Sequence, residues 1–112
     1  MFCGAAKGDI TPKDNLFPMP LFGALKINHI NDRIYARALA FDNGEEKAVI
    51  ISLDMTIVPF SSKTISFIAK ECGLKEENIL LCATHTHEVT PLGLPNIFLD
   101  APSERKKVRK VV

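Results

Sequence analysis

The longest apolar runs in the sequence predict two buried strands with a helix between them. Residues 47–53 (KAVIISL) and 78–83 (NILLCA) are nearly all apolar, as is typical of strands that are buried on both faces. The segment between them repeats apolar residues at intervals of three and four, the spacing of one helix face: Ile65, Ile68, Ala69 and Cys72. Because the links are short, we expect a βαβ unit over about 47–83 with its two strands parallel.

The sequence also indicates both ends of this helix. Ser61 or Ser62 can cap its first turn, and Gly73 follows the last periodic residue, where many helices end. We therefore expect the helix to run from about Ser62 to Cys72.

A hairpin is predicted upstream of the βαβ unit. The segment 33–41 (RIYARALAF) has the pattern of a strand, with Arg33 and Arg37 four residues apart and hence on one face. Asn43-Gly44 then forms a turn, since both residue types tolerate the positive φ of a tight hairpin. The predicted fold is thus α/β, a mixed sheet in which a hairpin (about 33–53) leads into the βαβ unit (about 47–83).

The first thirty residues predict less regular structure. Residues 2–10 form a short strand that stops at Thr11-Pro12, where an Asp-x-Thr-Pro corner usually caps itself locally. Residues 13–31 contain two prolines, Gly23 and no sustained period, so we expect a long loop.

Composition narrows the class of protein. A chain of 112 residues fits one domain, and a net charge of +1 gives no overall field to attract nucleic acid or an anionic membrane. The apolar runs are too short to span a bilayer. Cys3, Cys72 and Cys82 form no CxxC pair, and the first ten residues lack the pattern of a secretory signal. We expect a cytoplasmic protein whose cysteines are reduced and mostly buried.

The residues that could bind a metal or a substrate directly follow the second parallel strand, in the segment 84–88 (THTHE). Ligands of open α/β sheets bind outside the carboxyl ends of the strands, and imidazole is the commonest zinc ligand. His85 and His87 point to one side if the segment is extended, so that one can bind a metal while the other hydrogen-bonds substrate or a metal-bound water. The threonine hydroxyls could then fix a histidine tautomer. The alternative is a pair of solvated loop histidines.

Asp54 ends the first parallel strand and should lie at the same edge of the sheet. Its carboxylate could orient a ligand histidine, but an Asp in such a turn more commonly accepts backbone N–H bonds. Arg33 and Arg37 could bind an anionic substrate, although arginines on a strand face more often pair with carboxylates. His29 stands alone in its loop and is interpreted as a surface residue, and the basic run 105–110 as a solvated tail.

Four stretches in order resemble the N-terminal domain of the neutral/alkaline non-lysosomal ceramidase family and its bacterial relatives. They cover residues 4 to about 93 and are 4–12 (GAAKGDITP), 32–39 (DRIYARAL), 50–55 (IISLDM) and 83–87 (ATHTH) followed by Pro91.

The resemblance implies a zinc-dependent amidase that cleaves the N-acyl bond of ceramide or a related amide. His85 corresponds to the first histidine of the family's THTH motif, which binds zinc. His87 corresponds to the second, which lies beside the metal and contacts the substrate or the developing oxyanion. Zinc polarises a carbonyl and lowers the pKa of its bound water, and amide hydrolysis needs both.

The sequence departs from the family in two ways. The family continues from THTH into Ser-Gly-Pro, where this chain has residues 88–91 (EVTP). In the family, the second histidine ligand, the Glu and Tyr ligands and the reactive serine lie well beyond the part that residues 1–112 resemble. We therefore expect residues 1–112 to be the N-terminal part of a ceramidase-like domain, inactive alone, that meets an amide or lipid-amide substrate once a downstream polypeptide supplies the rest.

Two other interpretations remain open. The chain could be a non-catalytic module that keeps the fold and binds a metal, a small ligand or a partner. It could also be a complete small enzyme whose site is assembled across an oligomer interface, and self-association is expected if apolar strands stay uncovered.

Overall fold

The computed structural model describes residues 1–13, 16, 19–20 and 26–89. The elements in chain order are β1 (Phe2–Asp9), β2 (Met19–Pro20), β3 (Lys26–Ile27), β4 (Tyr35–Asp42), β5 (Lys47–Leu53), α1 (Ser61–Cys72), a 3-10 turn (Glu76–Asn78) and β6 (Ile79–Ala83). The predictions for much of the loop 13–31 and for everything after Val89, including Pro91 and the basic tail, fall outside the described residues.

The main sheet has four strands in the order β1-β4-β5-β6. β4 runs antiparallel to both β1 and β5, whereas β5 and β6 are parallel and are joined through α1. The predicted α/β fold is confirmed, with a hairpin that leads into a βαβ unit in one mixed sheet. Two further short strands, β2 and β3, pair with each other.

The hairpin turn forms for the predicted reason. Gly44 has a φ of 91°, and the Asn43 side chain accepts hydrogen bonds from the backbone N–H groups of Glu45 and Glu46 at 3.0 and 2.8 Å. The strand before it begins at Tyr35 rather than Arg33. Ile34 lies outside the strand because its backbone N–H donates to the Thr11 hydroxyl, at 2.9 Å.

The helix ends where the sequence predicts but begins differently. The backbone N–H of Gly73, in the left-handed conformation with a φ of 63°, donates to the Ala69 carbonyl. The predicted serine cap is wrong. Phe60 precedes the helix with a φ of 47° and no side-chain cap, and the Thr64 hydroxyl instead donates to the Pro59 carbonyl at 2.9 Å.

The prediction that β5 and β6 are buried on both faces is wrong. Val49 and Ile79 face each other across the parallel pair and are each only 8% exposed. On the opposite face, Leu39, Ile50 and Leu80 align across three strands and are 42%, 40% and 59% exposed. The physical reason is that a single crossover helix covers one face of a sheet, and α1 is the helix that contacts β6 in the described part of the chain.

All three cysteines are free, as expected of reduced cysteines, but they are exposed, so the prediction that they are mostly buried is wrong. Cys82 lies two residues after Leu80 on β6 and therefore shares its uncovered face. Within the described ranges, no helix is long and apolar enough to cross a membrane.

Candidate functional site

The parallel pair brings Asp54 and His85 to the same edge of the sheet, as predicted. Asp54 follows β5 directly and His85 lies two residues beyond β6. The backbone pairing continues past the strands, since the N–H of Thr84 donates to the Leu53 carbonyl and that of His85 to the Met55 carbonyl, both at 2.9 Å. The histidine segment is therefore attached to the turn after β5.

His85 adopts the left-handed conformation, with a φ of 62°. This backbone conformation costs a residue other than glycine about 1–2 kcal/mol, which its surroundings must offset. The segment is thus not extended, and the alternation expected of a strand does not apply to it. The two imidazoles nevertheless meet, with 4.8 Å between ring centroids, an interplanar angle of 77° and 3.1 Å between their Nε2 atoms.

The ring of His85 is held by a backbone carbonyl. Its Nδ1 lies 2.6 Å from the carbonyl oxygen of Thr56. A carbonyl can only accept, so Nδ1 carries the proton and Nε2 carries the lone pair in the neutral ring. When a histidine binds a metal through one ring nitrogen, its other ring nitrogen usually donates to a hydrogen-bond acceptor such as this carbonyl.

Sequence reasoning missed Thr56 and proposed the threonines beside the histidines instead. Thr56 is 4% exposed, and its hydroxyl donates to the Thr86 carbonyl at 2.9 Å. The Thr86 hydroxyl accepts from the Glu88 N–H at 3.3 Å. The sequence does contain a signal for Thr56. It is a polar residue in an otherwise apolar stretch, shortly after the strand that ends at the candidate site.

The assigned tautomer determines the contact between the rings. Because Nε2 of His85 carries the lone pair, Nε2 of His87 donates its proton across the 3.1 Å separation. The same separation suits a shared metal: zinc–nitrogen bonds of about 2.0–2.1 Å in a tetrahedral site put two ligand nitrogens about 3.3 Å apart. The separation of the two Nε2 atoms therefore matches two positions of a zinc site in which the metal takes the place of the proton between the rings. No group of three or more His, Cys, Asp or Glu residues suited to a metal occurs in the described part of the chain.

Asp54 has the structural role that its position favoured. Its Oδ2 accepts from the backbone N–H of Tyr35 at 3.0 Å and from Nη1 of Arg37 at 2.8 Å. Burial of this carboxyl raises its pKa, but the hydrogen bonds from Arg37 and Tyr35 and the charge of Arg37 outweigh burial and leave the pKa below its usual value. Asp54 thus joins the start of β4 to the end of β5.

The other predicted polar residues also act in the framework. Arg33 pairs with Asp9 at 2.8 Å, so both arginines bind carboxylates. The Thr11 N–H donates to Asp9 at 2.8 Å, which confirms local capping at this corner, and hydrogen bonds from Thr11 lower the pKa of Asp9. His29 is exposed, as expected of a surface residue.

The sequence matches no protein-family model, and a search of curated proteins finds no similar sequence.

Proposed function

We propose that this chain supplies part of the metal site of a zinc-dependent amidohydrolase similar to neutral ceramidase. The observation that carries the proposal is the anchored ring of His85. Its Nδ1 is held 2.6 Å from the Thr56 carbonyl, and its Nε2 keeps a lone pair beside a second imidazole. Both side chains are exposed at the sheet edge where ligands of α/β proteins bind.

The two histidines have different proposed roles. Nε2 of His85 is the metal ligand. His87, whose Nε2 lies 3.1 Å away, either supplies a second nitrogen or hydrogen-bonds the amide carbonyl as negative charge develops on it. When bound, zinc would polarise the carbonyl of an N-acyl amide and lower the pKa of a water molecule.

The remaining ligands must come from outside the described residues. A catalytic zinc site takes about three protein ligands and an open position, and His85 and His87 provide at most two. We therefore expect no hydrolysis of a ceramide analogue by the chain alone, and activity only when a second polypeptide or another copy completes the site. The proposal places this function in the cytoplasm, supported by three free cysteines.

A non-catalytic module that holds a metal or a small ligand is the alternative, and the same histidine pair supports it. Complementation distinguishes the two. Amide hydrolysis that appears when a downstream polypeptide is added, and that a chelator removes, favours the enzyme. Metal binding without such activity favours the module.

Zinc titration by calorimetry tests the metal site. We expect the wild-type chain to bind zinc, His85→Ala to weaken binding at least about tenfold, and His87→Ala to weaken it less if that residue contacts substrate rather than metal. His29→Ala is the matched control, because His29 is exposed in a separate loop, and it should bind as the wild type does. Equal affinity in the wild type and His85→Ala would contradict the proposal.

A further inference from the structure

Thr56 is the buried polar residue among those that the structure describes, with 4% of its surface exposed. It lies in the turn after β5, and both of its hydrogen bonds reach the histidine segment about thirty positions along the chain. Its carbonyl oxygen lies 2.6 Å from Nδ1 of His85, and its hydroxyl lies 2.9 Å from the carbonyl oxygen of Thr86.

The direction of each hydrogen bond follows from the chemistry of its atoms. A carbonyl only accepts, so the Thr56 hydroxyl donates to Thr86 and the His85 ring donates to Thr56. One bond therefore holds the ring of His85, and the other holds the peptide between Thr86 and His87. A third bond, from the His85 N–H to the Met55 carbonyl at 2.9 Å, holds the peptide that precedes it.

We propose that Thr56 is the positioning residue of the histidine site. It selects the His85 tautomer with the proton on Nδ1, and so directs the lone pair of Nε2 toward His87. Tautomer selection stands on the geometry alone. Its consequence for zinc rests on the proposed function, because only a metal at Nε2 makes the tautomer matter for affinity.

The hydroxyl is the part of Thr56 that mutation can remove selectively. Valine has nearly the shape of threonine but no donor, so Thr56→Val leaves the Thr86 carbonyl without this partner. His85, with a φ of 62°, then loses one of the bonds that keep it in the left-handed conformation, and the ring moves relative to the Thr56 carbonyl. Serine keeps the donor, so Thr56→Ser should preserve the site.

A nitrogen-15 NMR measurement of the imidazole rings tests the proposal without metal. We expect the wild type and Thr56→Ser to show His85 protonated at Nδ1, and Thr56→Val to show a mixture of the two tautomers. Thr64→Val is the matched control, because the Thr64 hydroxyl also donates to a backbone carbonyl, that of Pro59 at 2.9 Å, but lies in the first turn of α1. It should leave the tautomer of His85 unchanged.

Zinc titration of the same four proteins measures whether the tautomer of His85 affects metal affinity. We expect Thr56→Val to bind zinc about tenfold more weakly than the wild type, and Thr56→Ser and Thr64→Val to bind within about twofold. If the tautomers behave as expected but no variant binds zinc, the positioning role stands and the proposed function fails.

The proposal is overturned if Thr56→Val keeps the wild-type tautomer, or if the wild type itself carries its proton on Nε2 of His85. If Thr56→Val does not fold, Thr56→Ser still decides. A wild type or serine variant protonated at Nε2 contradicts the proposal, and Nδ1 protonation in both supports it.

Discussion

At the scale of single residues, the same edge of the sheet holds residues that stabilise the fold and residues that are available for chemistry. The carboxylate of Asp54 is bound by Tyr35 and Arg37 within the sheet, whereas Nε2 of His85 is directed at a second imidazole on the surface. Both positions are at the ends of parallel strands, and although the sequence favoured a structural role for Asp54, position alone does not establish either role. The partners of each side chain do.

The ion pair of Asp54 gives a pH-dependent prediction. Its pKa in the folded chain lies below the usual 3.8, so its contribution to stability is present above pH 3.8 and is lost as the pH falls through the folded-state pKa. Asp54→Asn should lower the free energy of unfolding by about 1 kcal/mol at pH 7, and the difference should shrink below pH 3.8 as the wild-type carboxyl is protonated.

Urea unfolding between pH 3 and pH 7 measures this effect. Asp32→Asn removes the same charge from an exposed loop and is the control, with a change within about 0.5 kcal/mol. A constant difference between Asp54→Asn and the wild type across the whole pH range would refute the linkage.

At the scale of elements, local signals predict where structure stops better than how it starts. Gly73 ends α1 because glycine takes the left-handed conformation without steric cost, with a φ of 63°. The start of the helix has no comparable local device, since Phe60 takes a φ of 47° and neither Ser61 nor Ser62 caps the first turn. The chain reaches the helix from a turn that is held by tertiary contacts, so the serine signal is overridden.

The end of α1 gives a stability prediction. Gly73→Ala should lower the free energy of unfolding by about 1 kcal/mol, because alanine is strained at a positive φ. A new Cβ at this position meets no atom within 4 Å, so the loss isolates backbone strain from steric clash. Gly4→Ala, in β1 and equally open, is the matched control and should be neutral or slightly stabilising. Equal melting temperatures for the two variants would contradict the assignment of strain.

At the scale of the whole molecule, the main feature is the uneven covering of the sheet. Val49 and Ile79 are buried on the side of the crossover helix, while the row Leu39–Ile50–Leu80 is open on the other side. Exposed leucines and isoleucines in contact across strands form an apolar surface of the kind that usually meets another layer or another molecule.

This surface predicts concentration-dependent self-association. Leu80→Lys places a charge in the exposed row, where Leu80 is 59% exposed, and should shift the chain toward the monomer in size-exclusion chromatography with light scattering. Phe67→Lys is the matched control, because Phe67 is 64% exposed on α1, away from that row, and should not change association. A wild type that stays monomeric at all concentrations would exclude association through this face.

Local pattern and chain connectivity were enough to predict the mixed sheet, the hairpin turn at Asn43-Gly44, the parallel pairing of β5 with β6 and the end of α1 at Gly73. These features depend on residues close in sequence, or on the short crossover that makes two strands parallel. The same reasoning placed Asp54 and His85 at one edge, because parallel strands end together.

Only the tertiary structure decided which faces are covered and how the histidines are held. An apolar run indicates that a strand can be buried. Whether other elements of the protein cover both of its faces depends on the rest of the fold. Thr56 and His85 are 29 positions apart in the sequence, and no local sequence pattern predicts the contact between the Thr56 carbonyl and Nδ1 of His85. The left-handed φ of His85 is likewise stabilised by partners in the turn after β5. The sequence left open whether the segment is extended, and it suggested the flanking threonines rather than Thr56 as partners of the histidines.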